Sequence, residues 1–312
     1  MCSETKSLMM SRSLSNRFLA ANLALFGANL FWGANSPVTK DVLETGLLDG
    51  LTLSAIRIGG ATILFVLLGF ILPESIAPRE KVERGDWHLI FIASMLIITI
   101  NQALYIIGIG YTSPVDSGIM SSVTPVFTMI CAAIFLRYPI RWMKGTGVAL
   151  GLGGAVMMVL GGTGGATATN PMLGDALCLV AQLGAALYYV LFKRLIDKYA
   201  PFTLMKWMFI FSTLTYVAAM LPRLCEVDYS AFTPLIWAEI AYIIVFATFI
   251  GYLIIPFSQK VLSPTAVSMY SYFQPVTSCV LAAAMGYAVF GPVKILATIL
   301  IFVGVYMVSK EK

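Results

Sequence analysis

Pro125 and Pro275 each fall near the middle of a long apolar run, and each is preceded four residues earlier by a serine, Ser121 and Ser271. A proline inside a helix removes one backbone hydrogen bond and frees the carbonyl four residues back. Unpaired backbone at membrane depth is tolerated only when it is buried in protein or lines a wet cavity. The matched sites therefore read either as two hinges beside a central pathway or as packing kinks with serine as local compensation. Around them gather groups suited to binding a solute. Ser122 and Thr124 flank the first kink, and Tyr270, Tyr272 and Gln274 flank the second. A third cluster is Asn101, Gln102 and Tyr105, with Asn101 and Tyr105 four apart and so on one helix face. Trp32 and Asn35 stand in the first apolar run, and Gln182, Tyr188 and Tyr189 in the sixth. Ring faces with a few amides suit a small, partly apolar solute. For any single member, a hydrogen bond between helices or a tyrosine at the bilayer boundary is the competing explanation.

Ionisable groups within apolar runs are functional candidates by default. Arg57 lies about two turns inside the second run. It either attracts an anionic group or extends its head back to water. Asp116, Asp175 and Glu239 fall within a turn or two of run ends and read as solvated, and His88 beside Trp87 reads as interfacial. No carboxylate stands at the middle of a run, which argues against proton-coupled antiport. The chain has one histidine and no paired acid and base within the runs, so an enzyme is not expected. Cys2, Cys131, Cys178, Cys225 and Cys279 show no metal or redox spacing. No metal and no cofactor are expected. The stretch from Gly161 to Gly165 lacks the Gly-Lys-Ser/Thr of a phosphate loop and reads as a linker.

The elements that carry these residues are set by the solvent. Hydrophobic residues make up 59% of the 312 and charged residues 11%, with a mean hydropathy of +0.88. A soluble chain would show charge on about a quarter of its residues. Ten continuous apolar runs fit the length a bilayer demands of a helix, at 18–38, 51–72, 87–109, 114–136, 143–162, 172–193, 203–222, 234–257, 264–286 and 291–309. Barrel strands would alternate apolar and polar residues instead. The fold expected is an all-α membrane protein of ten transmembrane helices. Arg12 and Arg17 precede the first run as in a signal peptide, but no small-x-small cleavage site follows and the run reads as an uncleaved helix.

The chain also repeats itself. Ser113-Pro114, Pro125-Val126, Ala132-Ala133, Lys144, Gly154 and Met157 recur without a gap as Ser263-Pro264, Pro275-Val276, Ala282-Ala283, Lys294, Gly304 and Met307. Such a duplication fixes the architecture before any residue is given a role. The organisation expected is a cytoplasmic tail at 1–17, one repeat at 18–162, a linker at 163–171 and a second repeat at 172–312. Lysine and arginine in the connections divide fifteen to three, with only Lys40, Arg223 and Lys294 on the poorer side. The positive-inside rule then puts both termini in the cytoplasm. Five runs per half make the second half enter the membrane upside down, an inverted-topology repeat. Gly147 and Gly151, with Gly153 and Gly154 just beyond, give the fifth run a small-residue face for helix packing, so it reads as scaffold. The net charge of +5 follows from the loops and gives no reason to invoke nucleic acid.

Phe31-Trp32-Gly33-Ala34-Asn35, Asn101-Gln102-Ala103-Leu104-Tyr105, Tyr111-Thr112-Ser113-Pro114, Thr124-Pro125-Val126-Phe127 and Gly174-Asp175-Ala176-Leu177 resemble the EamA-like branch of the drug/metabolite transporter superfamily. The third-run pattern is also similar to that of plant vacuolar and amino-acid carriers in that superfamily. The resemblance covers nearly the whole chain. It implies two inverted five-helix repeats and a central cavity lined by runs one to four and six to nine, with runs five and ten set apart. It also implies export of amino acids or other small metabolites. Two features depart from relatives. The first run has Asn22, Asn29 and Asn35 but no acid, so the glutamate chemistry of small multidrug relatives does not carry over. A tryptophan frequent in the sixth run is replaced around Ala185.

The function expected is a permease of the cell (inner) membrane that moves small organic metabolites by alternating access. Its substrate-contact residues would be Trp32, Asn35, Arg57, Asn101, Tyr105, Ser122, Tyr188, Tyr270 and Gln274, with hinges at Ser121, Pro125, Ser271 and Pro275. Its partners would be a small-molecule substrate and the lipid bilayer, with the chain a monomer or homodimer. A passive channel or facilitator is the second class, and a membrane-embedded enzyme the third.

Overall fold

A computed structural model describes residues 2–112, 114–160, 169–284 and 292–310. Everything regular in it is helix. The rods, in chain order, are α1 (Cys2–Glu44), α2 (Gly50–Ile71), α3 (Arg84–Tyr111), α4 (Pro114–Ser122 and Thr124–Phe135), α5 (Trp142–Leu160) and α6 (Pro171–Leu191). They continue as α7 (Pro201–Glu226), α8 (Pro234–Gln259), α9 (264–284, in pieces) and α10 (Pro292–Lys310). Five of them, α2, α3, α6, α7 and α8, are long and apolar enough to cross a membrane, judged on length and composition. The tail expected before residue 18 is continuous with α1. Ser113, Lys312 and most of the expected linker lie outside the described residues.

Local chemistry sets where the rods start. Asn170, Thr233 and Ser263 each accept a backbone N–H three residues on, at 3.3 Å, and each is followed by proline. A capping side chain with proline at the first helical position is a strong start signal, because it satisfies one orphan donor and removes another. Asp49 caps α2 through Thr52 N at 2.7 Å. Gly46 makes the turn from α1 with a φ of +71°, a left-handed conformation that glycine adopts without a Cβ penalty.

Three rods contain π-helical segments: Met95–Ile100 in α3, Thr213–Val217 in α7 and Ile243–Ile250 in α8. Close packing comes from small residues. A Cβ on Gly304 of α10 would sit 2.5 Å from Gly147 O and 2.8 Å from Gly151 N, so α5 and α10 touch backbone to backbone. Gly108 and Gly174 seat α3 against α6 in the same way. The main apolar core joins α2, α7 and α8, where the Phe65 ring lies 5.1 Å from Phe209 and 4.5 Å from Phe249. Large apolar side chains such as Phe70 and Ile71 of α2 and Phe302 and Tyr306 of α10 face outward, as lipid contact requires.

Candidate functional site

The chain encloses a central cavity of about 720 Å³, counting its open mouth. Its wall is drawn from both halves. α1 supplies Asn29, Trp32 and Asn35 at spacings of three, which keeps them on one helix face. α2 supplies Arg57, α3 supplies Asn101, Gln102 and Tyr105, and α4 supplies Ser121 and Thr124. From the second half come Gln182 and Tyr189 of α6, Tyr252 of α8, and Ser268, Ser271 and Gln274 of α9. No residue of α7 lines it, although the family resemblance implied that span seven would. Its inward side chains, Met208 and Phe209, are spent on the apolar core behind α2.

Of the side chains expected to contact a solute, the structure brings Trp32, Asn35, Arg57, Asn101, Tyr105 and Gln274 to one wall, together with the hinge serines Ser121 and Ser271. It keeps three others out. Ser122 is buried and donates back to Gly118 O at 3.0 Å. Tyr188 is fully buried in the apolar core, stacked on Phe192. Tyr270 turns away to donate to Asn22 Oδ1 and packs on Phe273. Sequence reasoning passed over Tyr252 and Ser268. A polar-tipped ring beside Gly251 in an otherwise apolar run was the available signal for Tyr252.

The expected breaks at the prolines are present. Helix α4 is interrupted at Val123, and the carbonyl of Ser121 takes the Thr124 hydroxyl at 2.7 Å. That hydroxyl also lies 2.7 Å from Gln182 Oε1, and its single proton serves one acceptor at a time. In α9 the break is a 3₁₀ turn at Tyr270–Tyr272, ahead of Pro275. The Ser271 hydroxyl within it is buried with no partner among the described residues. The two broken helices meet, for a Cβ on Gly118 would lie 4.0 Å from Pro275 Cγ.

Hydrogen bonds stitch the wall together. The Tyr105 hydroxyl lies 3.1 Å from both Ser36 Oγ and Ser121 Oγ, joining α1, α3 and α4. Asn101 donates to Ala181 O at 2.7 Å and accepts from the Tyr252 hydroxyl at 3.1 Å. Gln274 donates to Asn29 Oδ1 at 3.0 Å. Asn35 Oδ1 is buried without a donor among the described residues.

Arg57 is 3% exposed, so its head does not return to water. Its Nε donates to Thr248 Oγ1 and its Nη2 to Ala247 O at 3.2 Å. Ala247 O also takes Trp32 Nε1 at 2.7 Å. Both acceptors lie in the π-helical segment of α8, where the wider register loosens intrahelical pairing and leaves groups for outside donors. Among the described residues no group of three or more histidines, cysteines or acids could hold a metal.

Asp175, expected at a solvated end, is engaged instead, and so is Lys40. Lys40 is buried against the last carbonyls of α3, with Thr112 O at 3.4 Å. That is the favourable end of a helix for a cation. Asp175 accepts from Thr112 Oγ1 at 2.7 Å. The side chain of Asp116 lies outside the described residues, and His88, read as interfacial, is exposed.

The chain is similar to known transporters over most of its length. The uncharacterized transporter YyaM of Bacillus subtilis is 24% identical over 298 residues, covering 92% of this chain and 95% of the relative. YetK of the same organism, also an uncharacterized transporter, is 23% identical, covering 87% and 81%. A solved crystal structure superposes with a TM-score of 0.69 at 18% identity, covering 92% of this chain and 96% of that one, which is a likeness of fold. The model of the EamA-like transporter family matches twice, over residues 19–160 and again over 172–310, and the chain therefore belongs to that family.

Proposed function

We propose that this membrane transporter is a permease that exports small organic metabolites by alternating access through the central cavity. The observation that carries the reading is that both halves build one wall of amides, hydroxyls and rings. All ten rods are read as spans, the termini as cytoplasmic, and the halves as inverted repeats. Two contacts support an axis of symmetry between the halves. Thr62 and Thr213 lie 151 residues apart in sequence and 2.6 Å apart in space, and Asn101 and Tyr252, also 151 apart, share a hydrogen bond. The repeat offset is 150 residues, so each pair joins a residue to the chain neighbour of its counterpart, which happens only near an axis relating the halves.

Counterflow into liposomes is the test, with amino acids, nucleosides, sugars and organic cations offered in turn. A carrier gives saturable uptake stimulated by the same solute inside, and a passive channel gives neither saturation nor stimulation. The double change Pro125→Ala, Pro275→Ala should slow counterflow severalfold, because it restores two backbone donors at the breaks and stiffens them. Unchanged kinetics in that variant would remove the hinge role.

A further inference from the structure

Arg57 is the one charged side chain on the cavity wall among the described residues. A guanidinium carries five N–H donors and no acceptor. Here the Nε and Nη2 groups are held by Thr248 Oγ1 and Ala247 O, both on α8. Its Nη1 amino group has no acceptor among the described residues. None of the ion pairs among those residues involves Arg57, and the titratable groups that act on it are the hydroxyls of Tyr252 and Tyr105. Elsewhere in the chain cations find carboxylates readily, as Lys198 does with Glu83 and Asp86, and Arg223 with Asp49.

A buried charge without a counter-ion is costly, and a well-packed apolar residue would serve stability as well or better. The two hydrogen bonds to α8 fix the guanidinium plane and leave its other edge for a planar, two-oxygen acceptor. That is the geometry in which arginine recognises a carboxylate. Nearby surfaces suit an apolar body on the same molecule. The Trp32 and Tyr252 rings pack edge to face at 5.9 Å on the wall. Among the described residues no acid on the wall would pair a cationic group.

We propose that Arg57 is the anion-binding residue of the cavity and that the solute carried is a small organic monoanion, a carboxylate with an apolar body. The word "carried" rests on the permease reading, whereas the anion site does not. Matched probes separate charge from shape: acetic, phenylacetic and indole-3-acetic acids at neutral pH, each beside its amide and the amine of equal length. Detergent-purified full-length protein is melted with each probe over a concentration series. At least one carboxylate should raise the melting temperature saturably, while its amide and amine need tenfold more or do nothing. Arg57→Gln should lose that response while melting no lower than wild type without ligand, and Arg57→Lys should keep part of it.

Several results would overturn the site: a response to amide or amine equal to that of the acid, a full response in Arg57→Gln, or no response to any of the three acids. Should Arg57→Gln fail to fold, the comparison of acid, amide and amine on wild type decides alone. Counterflow of the same acids in liposomes is read separately. Binding without counterflow sinks the permease reading and leaves the anion site standing. Counterflow of other solutes with no acid response does the reverse.

Discussion

Asp86 stands just ahead of the apolar stretch that begins at Trp87, and it accepts from Lys198 Nζ at 2.6 Å and from the Tyr199 hydroxyl at 2.7 Å. The Lys198 and Tyr199 hydrogen bonds hold its carboxyl below the usual carboxylate range. A depressed carboxyl contributes stability that is full above the unfolded value of about 4 and is lost as pH falls through the folded value. Asp86→Asn should therefore melt below wild type by a constant margin near neutral pH, with the margin closing on acidification. Thermal melts across that range check it, and a margin that widens in acid contradicts it. Residue scale is also where sequence reading lost its grip on the site. Ser122, Tyr188 and Tyr270 miss the cavity, yet their neighbours Ser121, Tyr189 and Ser271 line it. Successive helical residues point about 100° apart, so in a run apolar on every side nothing in the pattern says which of two adjacent polar residues faces inward.

Among the elements, the α5–α10 pair depends on the absence of side chains at its crossing. Gly304→Ala must push backbone apart, since its Cβ would lie 2.5 Å from Gly147 O. Such overpacking costs about 1–3 kcal/mol. Gly153, on the same helix as Gly147, has nothing within 4 Å of its would-be Cβ. Gly153→Ala should be neutral or stabilise by up to about 1 kcal/mol through helix propensity. Melting of the two purified variants reads the contrast, and equal effects would mean that the crossing is looser than described. This role of the fifth run as a packing element was visible in its glycine spacing. The π-helical segments were not, because Met95–Ile100 and Ile243–Ile250 read as unbroken apolar helix and contain neither proline nor glycine. Their wider turns show only once the partners of Ala247 O and Thr248 are known.

The whole molecule is tied across its halves at both ends. Asp49 and Arg223 join the α1–α2 connection to the end of α7, and Lys198 joins the α6–α7 connection to Glu83 and Asp86. In each tie the acid belongs to the first half and the base to the second. Each exposed pair contributes little by itself, so these ties guide how the halves sit more than how firmly they hold. The duplication was legible because its copies keep one spacing throughout, and the prolines because a helix breaker in an apolar run has few explanations. The cavity's composition followed from those two facts. Its boundary did not, because α7 is as apolar as α6, which does line the cavity, and only packing shows that α7 stands behind it.

Alternating access through this cavity is tested most directly by solvent access at its two ends. Ser36, bonded to Tyr105, and Ser268 of α9 are both nearly fully buried, at 4% and 3% exposure. Single cysteines at those positions, in a chain whose Cys2, Cys131, Cys178, Cys225 and Cys279 are all changed to serine, can be probed from each side of sealed vesicles by a membrane-impermeant maleimide. Reciprocal labelling is expected: a solute gradient that exposes one cysteine protects the other. Simultaneous labelling of both, from both sides and indifferent to solute, would mean an open pore and contradict alternating access.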